Sequence, residues 1–600
     1  MITVGKEYVN LKNGYIFAKQ EMNRKVSVDA VYKVFAETHR FEAMKCEKVP
    51  DRDWQPHYFW DSDVAKWIEC ASYVIAKHPD EGIVERIEKI IDDIEANQWD
   101  DGYINCYYTV VEPENRFTNV HFHELYCIGH YIEAAIAYFE ATGKDRLLRI
   151  ICRSVDLIKK VFVKDERAAF AFPGHQQIEL ALYKLYEFSG NREYLELARH
   201  FLSRRGVDMK GFPEESFYSL QAFAPVEKQT SAIGHSVRVM YMFSAMADIA
   251  AEGEEKYIDT LKTVFDDILN GKMYVTGGIG QIREYEGFVD NFYLPNERAY
   301  AETCAGIGLV FLCHRMLKLF ENAKYADVLE RVFYNNVLSG ISLSGDAFFY
   351  ENPLAMNPQE EEMKKKYRYD KAIPKYERAK VFECSCCPPN ISRLIGTFEQ
   401  YLYYTNGDCL FINQYSESEY EKDGASLSVK TNYPLDGKIL INAKNVKKLA
   451  LRIPEWCNNF EISEEYTLKN GYAYIDNPSE QIEVNFEMKP KLIFANEKIK
   501  DSVAKCCITY GPIVYCAEGI DNGGTVHEIL VSPDAEFEVS YSEEFGLNIL
   551  SFMGEKIKTN DEVYTEMIPT LEKTKIKLIP YSCFANRGAS DMQVWLGYKF

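Results

Sequence analysis

The stretch Phe382-Glu-Cys-Ser-Cys-Cys-Pro-Pro-Asn390 sets three cysteines within four positions, two of them adjacent, ahead of two prolines. Adjacent side chains diverge on a regular helix or strand, so Cys386 and Cys387 are expected to face one centre from an irregular loop. Pro388 and Pro389 bias the residues before them away from the α region, and Asn390 then offers an N-cap for a helix starting near Ile391. Such a turn points to metal or thiol chemistry. In Tyr300-Ala-Glu-Thr-Cys-Ala-Gly306, Glu302 precedes Cys304 by two, a spacing that converges on one ion from a loop or helix entrance. Glu302, Cys304, Cys386 and Cys387 together make a tetrahedral zinc set, zinc accepting sulfur and carboxylate oxygen alike. Cys384 is an alternative ligand. The competing account makes Cys304 a small buried residue and Glu302 an acid at a helix start.

Glu284 and Glu286, in Glu284-Tyr-Glu-Gly-Phe288, are both candidates for a general acid, against the commoner role of surface carboxylates. They come after Thr276-Gly-Gly-Ile-Gly280, which lacks the spacing and the lysine of a phosphate-binding loop and reads as a tight loop beside a cleft. Histidine is scarce, at eleven, yet His123, His175 and His235 each stand at a helix entrance. Alone each suits a capping or core position; three in one context suggest a shared polar pocket. His123 does not open a zinc-protease motif, because Cys127 occupies the fourth position after it. Asp61, Asp63 and the Gln98-Trp-Asp-Asp-Gly-Tyr103 turn could line the same mouth or merely cap and turn the chain.

The elements around these residues change character once. The first fifteen or so residues look extended. From there to about residue 405, 3.6-residue periodicity dominates, with helices expected to begin near Ser27, Asp61, Asp80, Val120, Lys144, Gly174, Asn191, Ala232, Glu255, Ala299, Lys324 and Ile391. Roughly twelve helices arriving in pairs suggest a closed ring of α-hairpins. After residue 406 short alternating runs such as Lys438-Ile-Leu-Ile-Asn-Ala and Ile482-Glu-Val-Asn-Phe486 read as strands of β-sandwiches. The expected fold is therefore multidomain α + β: an (α/α)6 toroid catalytic domain over 16–405, followed by β-sandwich regions over 406–523 and 524–600, with 1–15 joining the β part.

At 600 residues the chain is too long for a single core, and 47% hydrophobic content excludes global disorder. A net charge of −22 argues against a nucleic-acid partner. Basic runs such as Lys364-Lys-Lys366 lie among acids and read as solvated surface. The amino terminus lacks a signal-peptide pattern and no long uncharged apolar run suggests a membrane span, so a cytoplasmic chain with sixteen reduced cysteines is expected.

Taken together, several segments resemble glycoside hydrolase family 127, the β-L-arabinofuranosidases: Asp61-Ser-Asp-Val-Ala-Lys-Trp, His123-Glu-Leu-Tyr-Cys-Ile-Gly-His, Gly234-His-Ser-Val-Arg, Thr276-Gly-Gly-Ile-Gly, Ala299-Tyr-Ala-Glu-Thr-Cys-Ala, Phe349-Tyr-Glu-Asn-Pro-Leu and Cys386-Cys-Pro-Pro-Asn. The resemblance spans most of the chain and implies the same toroid-plus-sandwich fold. It implies zinc held by Glu302, Cys304, Cys386 and Cys387, with Cys386 as nucleophile. The family's acid/base glutamate lies sixteen residues before its zinc-binding glutamate, which selects Glu286. Sugar contacts carried over are His123, His175, His235 and Tyr350. The family usually reads Gly-Glu-x-Phe around the acid, whereas this chain reads Tyr285-Glu-Gly-Phe288. The activity implied is that of an exo-acting retaining hydrolase of terminal β-L-arabinofuranose from small oligosaccharides, and the assembly implied is a homodimer through the β region. Competing accounts are Glu302 as nucleophile beside a structural zinc, a hydrolase of another furanose or a branched acidic sugar, and a carbohydrate-binding protein with a structural zinc.

Overall fold

The computed structural model describes residues 1–49, 52–367, 376–380 and 385–600. Residues 382–384, with Cys384 among them, and the side chains of Lys364 and Lys365 lie outside the described residues. The chain divides into two compact units: Met1–Lys19, Gly271–Ala379 and Phe398–Phe600 form the first, Gln20–Asn270 and Lys380–Thr397 the second. Six helices carry the residues of interest: α1 (Trp60–Lys77), α2 (Glu124–Thr142), α3 (Ile178–Ser189), α4 (Ser236–Ala251), α5 (Thr303–Phe320) and α6 (Cys387–Gly396). Of these, α5 belongs to the first unit and the others to the second.

In the second unit, apolar helices alternate with one-sided ones. Every residue of α1 from Asp61 to Ile75 is buried, and α2 is buried from Glu124 to Tyr138. The helix that follows α1, Glu81–Asn97, buries only Ile87, Ile90, Ile91 and Ile94 and starts at Asp80, whose side chain accepts from Ile83 N. The same one-sided burial recurs in Arg146–Lys159 and Arg192–Arg204. The buried helices pack in a row: α6 on α1, α1 on α2, α2 on α3 and α3 on α4.

The first unit holds the sheets. One six-stranded sheet has the order Ile2–Thr3, Tyr403–Asn406, Cys409–Ile412, Lys448–Arg452, Tyr472–Asp476, Thr467–Lys469. A second runs Phe460–Ile462, Gln481–Phe486, Lys438–Lys444, Ala425–Thr431, Ser418–Lys422, Val9–Leu11, so the first two strands of the chain form edges of two different sheets. Strict alternation of buried and exposed positions in Gln481–Phe486 sets its register against Lys438–Lys444. A third, ten-stranded sheet is built on the long hairpin of Leu547–Lys558 with Thr570–Pro580. Its core residues Tyr581, Phe584 and Trp595 share one buried cluster with Ala299, Ala301, Phe349 and Leu354. Helix α5 is long and apolar enough to cross a membrane by length and composition, but 67% of it is buried inside the protein.

Two local expectations are corrected. The helix expected near Ile391 begins at Cys387, with Cys386 as N-cap and both prolines in the first turn. First-turn amides have no intrahelical acceptor, so proline loses nothing there. Asn390 is therefore inside the helix, its Oδ1 accepting from Arg393 Nε at 2.7 Å. Ser27 does not start a helix either. It lies inside a helical run from Gly14 to Glu37, where buried Asn23 donates to the Ser392 carbonyl at 3.0 Å.

Candidate active site

In the first unit, Glu302 is the N-cap residue of α5 and Cys304 lies in its first turn; they are 1% and 3% exposed. A carboxylate at this end of a helix meets unsatisfied amides and the positive end of the dipole. Ala301, immediately before, has φ of 37°, a left-handed conformation that costs a non-glycine residue about 1 kcal/mol. The surroundings hold it there: its amide donates to the Gly280 carbonyl at 2.9 Å, and its carbonyl accepts from Asn336 Nδ2 at 3.1 Å and Asn352 Nδ2 at 2.9 Å. A Cβ on Gly278 would stand 2.9 Å from the Ala301 Cβ, so the glycine run serves close backbone approach rather than phosphate binding.

Glu286 closes a tight turn in which its amide donates to the Arg283 carbonyl at 3.0 Å and Gly287 N donates to the Ile282 carbonyl at 3.0 Å. Its φ is 51°, a second strained position. Tyr300 Oη donates to Glu286 Oε1 at 2.6 Å, and Tyr350 Oη reaches the same oxygen at 3.4 Å. Burial pushes the Tyr300 hydroxyl well above its usual pKa, with Glu302 and Glu286 adding to the effect, so it stays a proton donor. Glu284 is exposed on the same turn.

In the second unit, Cys386 is half-buried and Cys387 buried, their sulfurs 3.8 Å apart. The pair thus shares a centre from a helix start rather than from the irregular loop expected: N-cap and first helical residue, unlike mid-helix neighbours, need not diverge. His123 is the N-cap residue of α2, His235 that of α4, and His175 lies three residues before α3. Their rings form a row, His175 being 5.6 Å from His123 and 5.6 Å from His235. The three helices therefore bring their N-termini to one place. A Cβ on Gly174 would fall 1.9 Å from the Val120 carbonyl, so only glycine lets the loop press His175 against the His123 segment.

Beneath the row, the Tyr126 ring lies 4.2 Å from His175, and buried Lys66 donates to Tyr126 Oη at 2.6 Å. Burial, then the Arg238 charge, holds His175 well below its usual pKa, so it is a neutral imidazole able to donate and accept. Glu124, next to His123, accepts from Tyr103 Oη and Phe117 N; burial pushes it up to about 8. Asp61 and Asp63 do not line a mouth. Both are 1% exposed; Asp61 accepts from Cys106 N at 3.0 Å and Asp63 pairs with Arg40 at 2.9 Å. Asp101 accepts from Tyr103 N and pairs with Arg116, a turn role.

Behind α6, Glu69 and Glu133 gather near His130 in a pattern that resembles a metal site. Arg393 Nη1 stands 2.8 Å from a carboxylate oxygen of each, so the cation there is a guanidinium. Neither type nor spacing along the chain marks Glu69, Arg393, Asn336 or Asn352 as part of this region, and Tyr300 stands out only as a neighbour of Glu302 and Cys304.

Glu302 and Cys304 in the first unit, and Cys386 and Cys387 in the second, are residue types that bind divalent metal ions. The donor chemistry fits: three sulfurs and a carboxylate oxygen suit a tetrahedral divalent ion. The 3.8 Å between Cys386 and Cys387 Sγ matches a tetrahedron edge for metal–sulfur bonds of about 2.3 Å.

The family model "Beta-L-arabinofuranosidase, GH127 catalytic domain" matches residues 8–400, and "Glycoside hydrolase family 127 C-terminal domain" matches residues 490–597. A non-reducing end β-L-arabinofuranosidase of Bifidobacterium longum subsp. longum is 30% identical over 601 residues, covering 91% of this chain and 90% of the relative. The crystal structure of Ara127N-Se, a GH127 β-L-arabinofuranosidase from Geobacillus stearothermophilus T6, has a TM-score of 0.92 at 36% identity, covering 98% of this chain and all of that one (100%). A further GH127 β-arabinofuranosidase structure gives 0.91 at 32% identity, covering 100% of this chain and 98% of that one. Matched by both domain models and by relatives along nearly its whole length, the chain belongs to glycoside hydrolase family 127, the β-L-arabinofuranosidase family.

Proposed function

We propose that this protein is a retaining, exo-acting β-L-arabinofuranosidase with Cys386 as nucleophile and Glu286 as acid/base, releasing the terminal sugar from small oligosaccharides. The observation that carries the reading is the asymmetry of the adjacent thiols: Cys386 is half-open while Cys387, 3.8 Å away, is sealed. One sulfur is placed to react and the other only to hold. Zinc is the ion proposed for Glu302, Cys304, Cys386 and Cys387; when bound, it keeps cysteine sulfur as thiolate near neutral pH.

Cys386 sulfur attacks the anomeric carbon as the glycosidic C–O bond breaks, and Glu286 gives its proton to the departing oxygen. The Glu286 carboxylate then takes a proton from water, which attacks the same carbon; the C–S bond breaks and the electron pair returns to sulfur. Two inversions leave net retention. Tyr300 orients the Glu286 carboxyl, and the neutral imidazole of His175, with the His123 and His235 rings and the Tyr350 hydroxyl, offers partners for sugar hydroxyls. The reading takes 16–405 as an (α/α)6 catalytic domain, supported by the alternation of buried and one-sided helices. It takes 406–523 and 524–600 as β-sandwich domains joined by 1–15, and the protein as a cytoplasmic homodimer.

The test is release of L-arabinose from an aryl β-L-arabinofuranoside by zinc-replete enzyme beside Cys386→Ser. Loss of turnover in a folded variant that keeps its metal is expected. Substantial turnover would move the nucleophile to Glu302.

A further inference from the structure

Glu286 must present its proton within a few tenths of an ångström, yet it stands in a strained conformation on a turn whose neighbours Glu284 and Tyr285 are exposed. The hydrogen bonds within the turn define its shape, and the Tyr300 and Tyr350 hydroxyls reach the Glu286 carboxyl itself. Arg283 ties the start of the turn to a second segment. It is the first residue of the turn, and its Nη2 pairs with Glu351 Oε1 at 2.8 Å; the Arg283 side chain is 39% exposed and that of Glu351 8%. Glu351 is anchored through its neighbours. The Tyr350 carbonyl accepts from Thr303 N at 2.9 Å and the Phe349 carbonyl from Thr303 Oγ1 at 2.8 Å, while Asn352 N donates to the Tyr300 carbonyl at 3.3 Å. The turn bearing Glu286 is thereby braced against the first turn of α5, the element that also carries Glu302 and Cys304.

We propose that the Arg283–Glu351 ion pair is a positioning device for proton transfer: it holds Glu286 where the leaving oxygen will be, without either residue touching substrate. The proposal rests on Glu286 being the acid. A relaxed turn would move the carboxyl, and misplacement of this scale is costly for a reacting group while leaving sugar binding intact.

Leaving-group dependence separates this role from a merely structural one. A 2,4-dinitrophenyl β-L-arabinofuranoside departs without a proton; the methyl β-L-arabinofuranoside needs one. Arg283→Gln is expected to lower kcat/KM on the methyl glycoside about 10- to 100-fold, part of the general-acid contribution, with a change of less than about threefold on the dinitrophenyl glycoside. Glu351→Gln should reproduce the pattern and Arg283→Lys should recover part of it. If Arg283→Gln misfolds, as judged by its thermal midpoint, Glu351→Gln carries the test. Equal losses on both substrates, or none on the methyl glycoside, overturn the proposal. Glu286→Gln, run in parallel, tests the underlying reading: should it lower kcat/KM, which reports the step that expels the leaving group, equally on both substrates, Glu286 is not the acid and the pair has nothing to position.

Discussion

Tyr300 Oη donates to Glu286 Oε1 at 2.6 Å, linking the proposed acid to a residue two positions before Glu302. Left-handed backbone occurs at Glu286 itself and at Ala301, the residue after Tyr300, with φ of 51° and 37°. Tyr300→Phe removes the donor and leaves the ring. A hydrogen bond to a group that becomes charged is worth about 1.5 kcal/mol, so kcat should fall roughly tenfold with little change in KM. Steady-state kinetics on the aryl glycoside would reveal a KM effect instead if Tyr300 served only to bind sugar.

Removing metal should act through the cysteines. Cys304→Ala takes away one of four proposed donors, so zinc per chain by elemental analysis should drop well below that of the wild type, and thermal stability should become insensitive to added chelator. Undiminished zinc in the variant would exclude Cys304 as a ligand.

His175 is buried, neutral and central in the imidazole row. His175→Ala should raise KM about tenfold, as expected for one lost hydrogen bond in a desolvated pocket. An unchanged KM would return His175 to a purely packing role.

Glu124 provides a pH signature. Burial raises it from 4.5 to about 8, so between those values the folded chain holds a proton that the unfolded chain has released. Its contribution to stability is complete below the lower value and is lost as pH rises through the upper one. Glu124→Gln keeps the shape and removes the titration. The thermal midpoint of the wild type should fall relative to this variant from pH 5 to pH 9; a constant difference would mean that Glu124 is ionised throughout.

Arg393 holds α6 from behind through Glu69 and Glu133; burial pushes Glu133 up, but Arg393 together with Lys184 and Gln177 keeps that carboxyl below its usual range. Arg393→Met leaves two buried carboxylates with only the partly exposed Lys184 ammonium beside them, at 3.9 and 3.6 Å, a loss of about 3 kcal/mol. Hydrogen exchange over 387–396 should rise before that of α1. Unaltered protection would show that the helix is fixed by packing alone.

The candidate metal ligands stood out in the sequence because chemistry restricts such patterns: adjacent cysteines before two prolines, or a glutamate two residues from a cysteine, have few ordinary uses in a core. The helix-to-strand change after residue 405 was legible for the same local reason, period 3.6 giving way to period 2. Helix starts were less legible. Asn390 has the right type for an N-cap, yet prolines fit the first turn equally well, and propensity does not choose between them.

What only the tertiary structure decided is orientation over long separations. Glu284 and Glu286 differ by two positions and are indistinguishable as residue types; the hydroxyl of Tyr300, fourteen residues on, distinguishes them. Asp61 and His123 both sit near helix starts, yet one is spent on the Cys106 amide and the other joins a row of rings. Arg393 turns an apparent metal site at Glu69 and Glu133 into an ion pair across 324 and 260 residues of chain. Spacing along a chain records which groups can act within a turn or two. Whether a charge meets water, a partner or another charge depends on segments that come together only when the core closes.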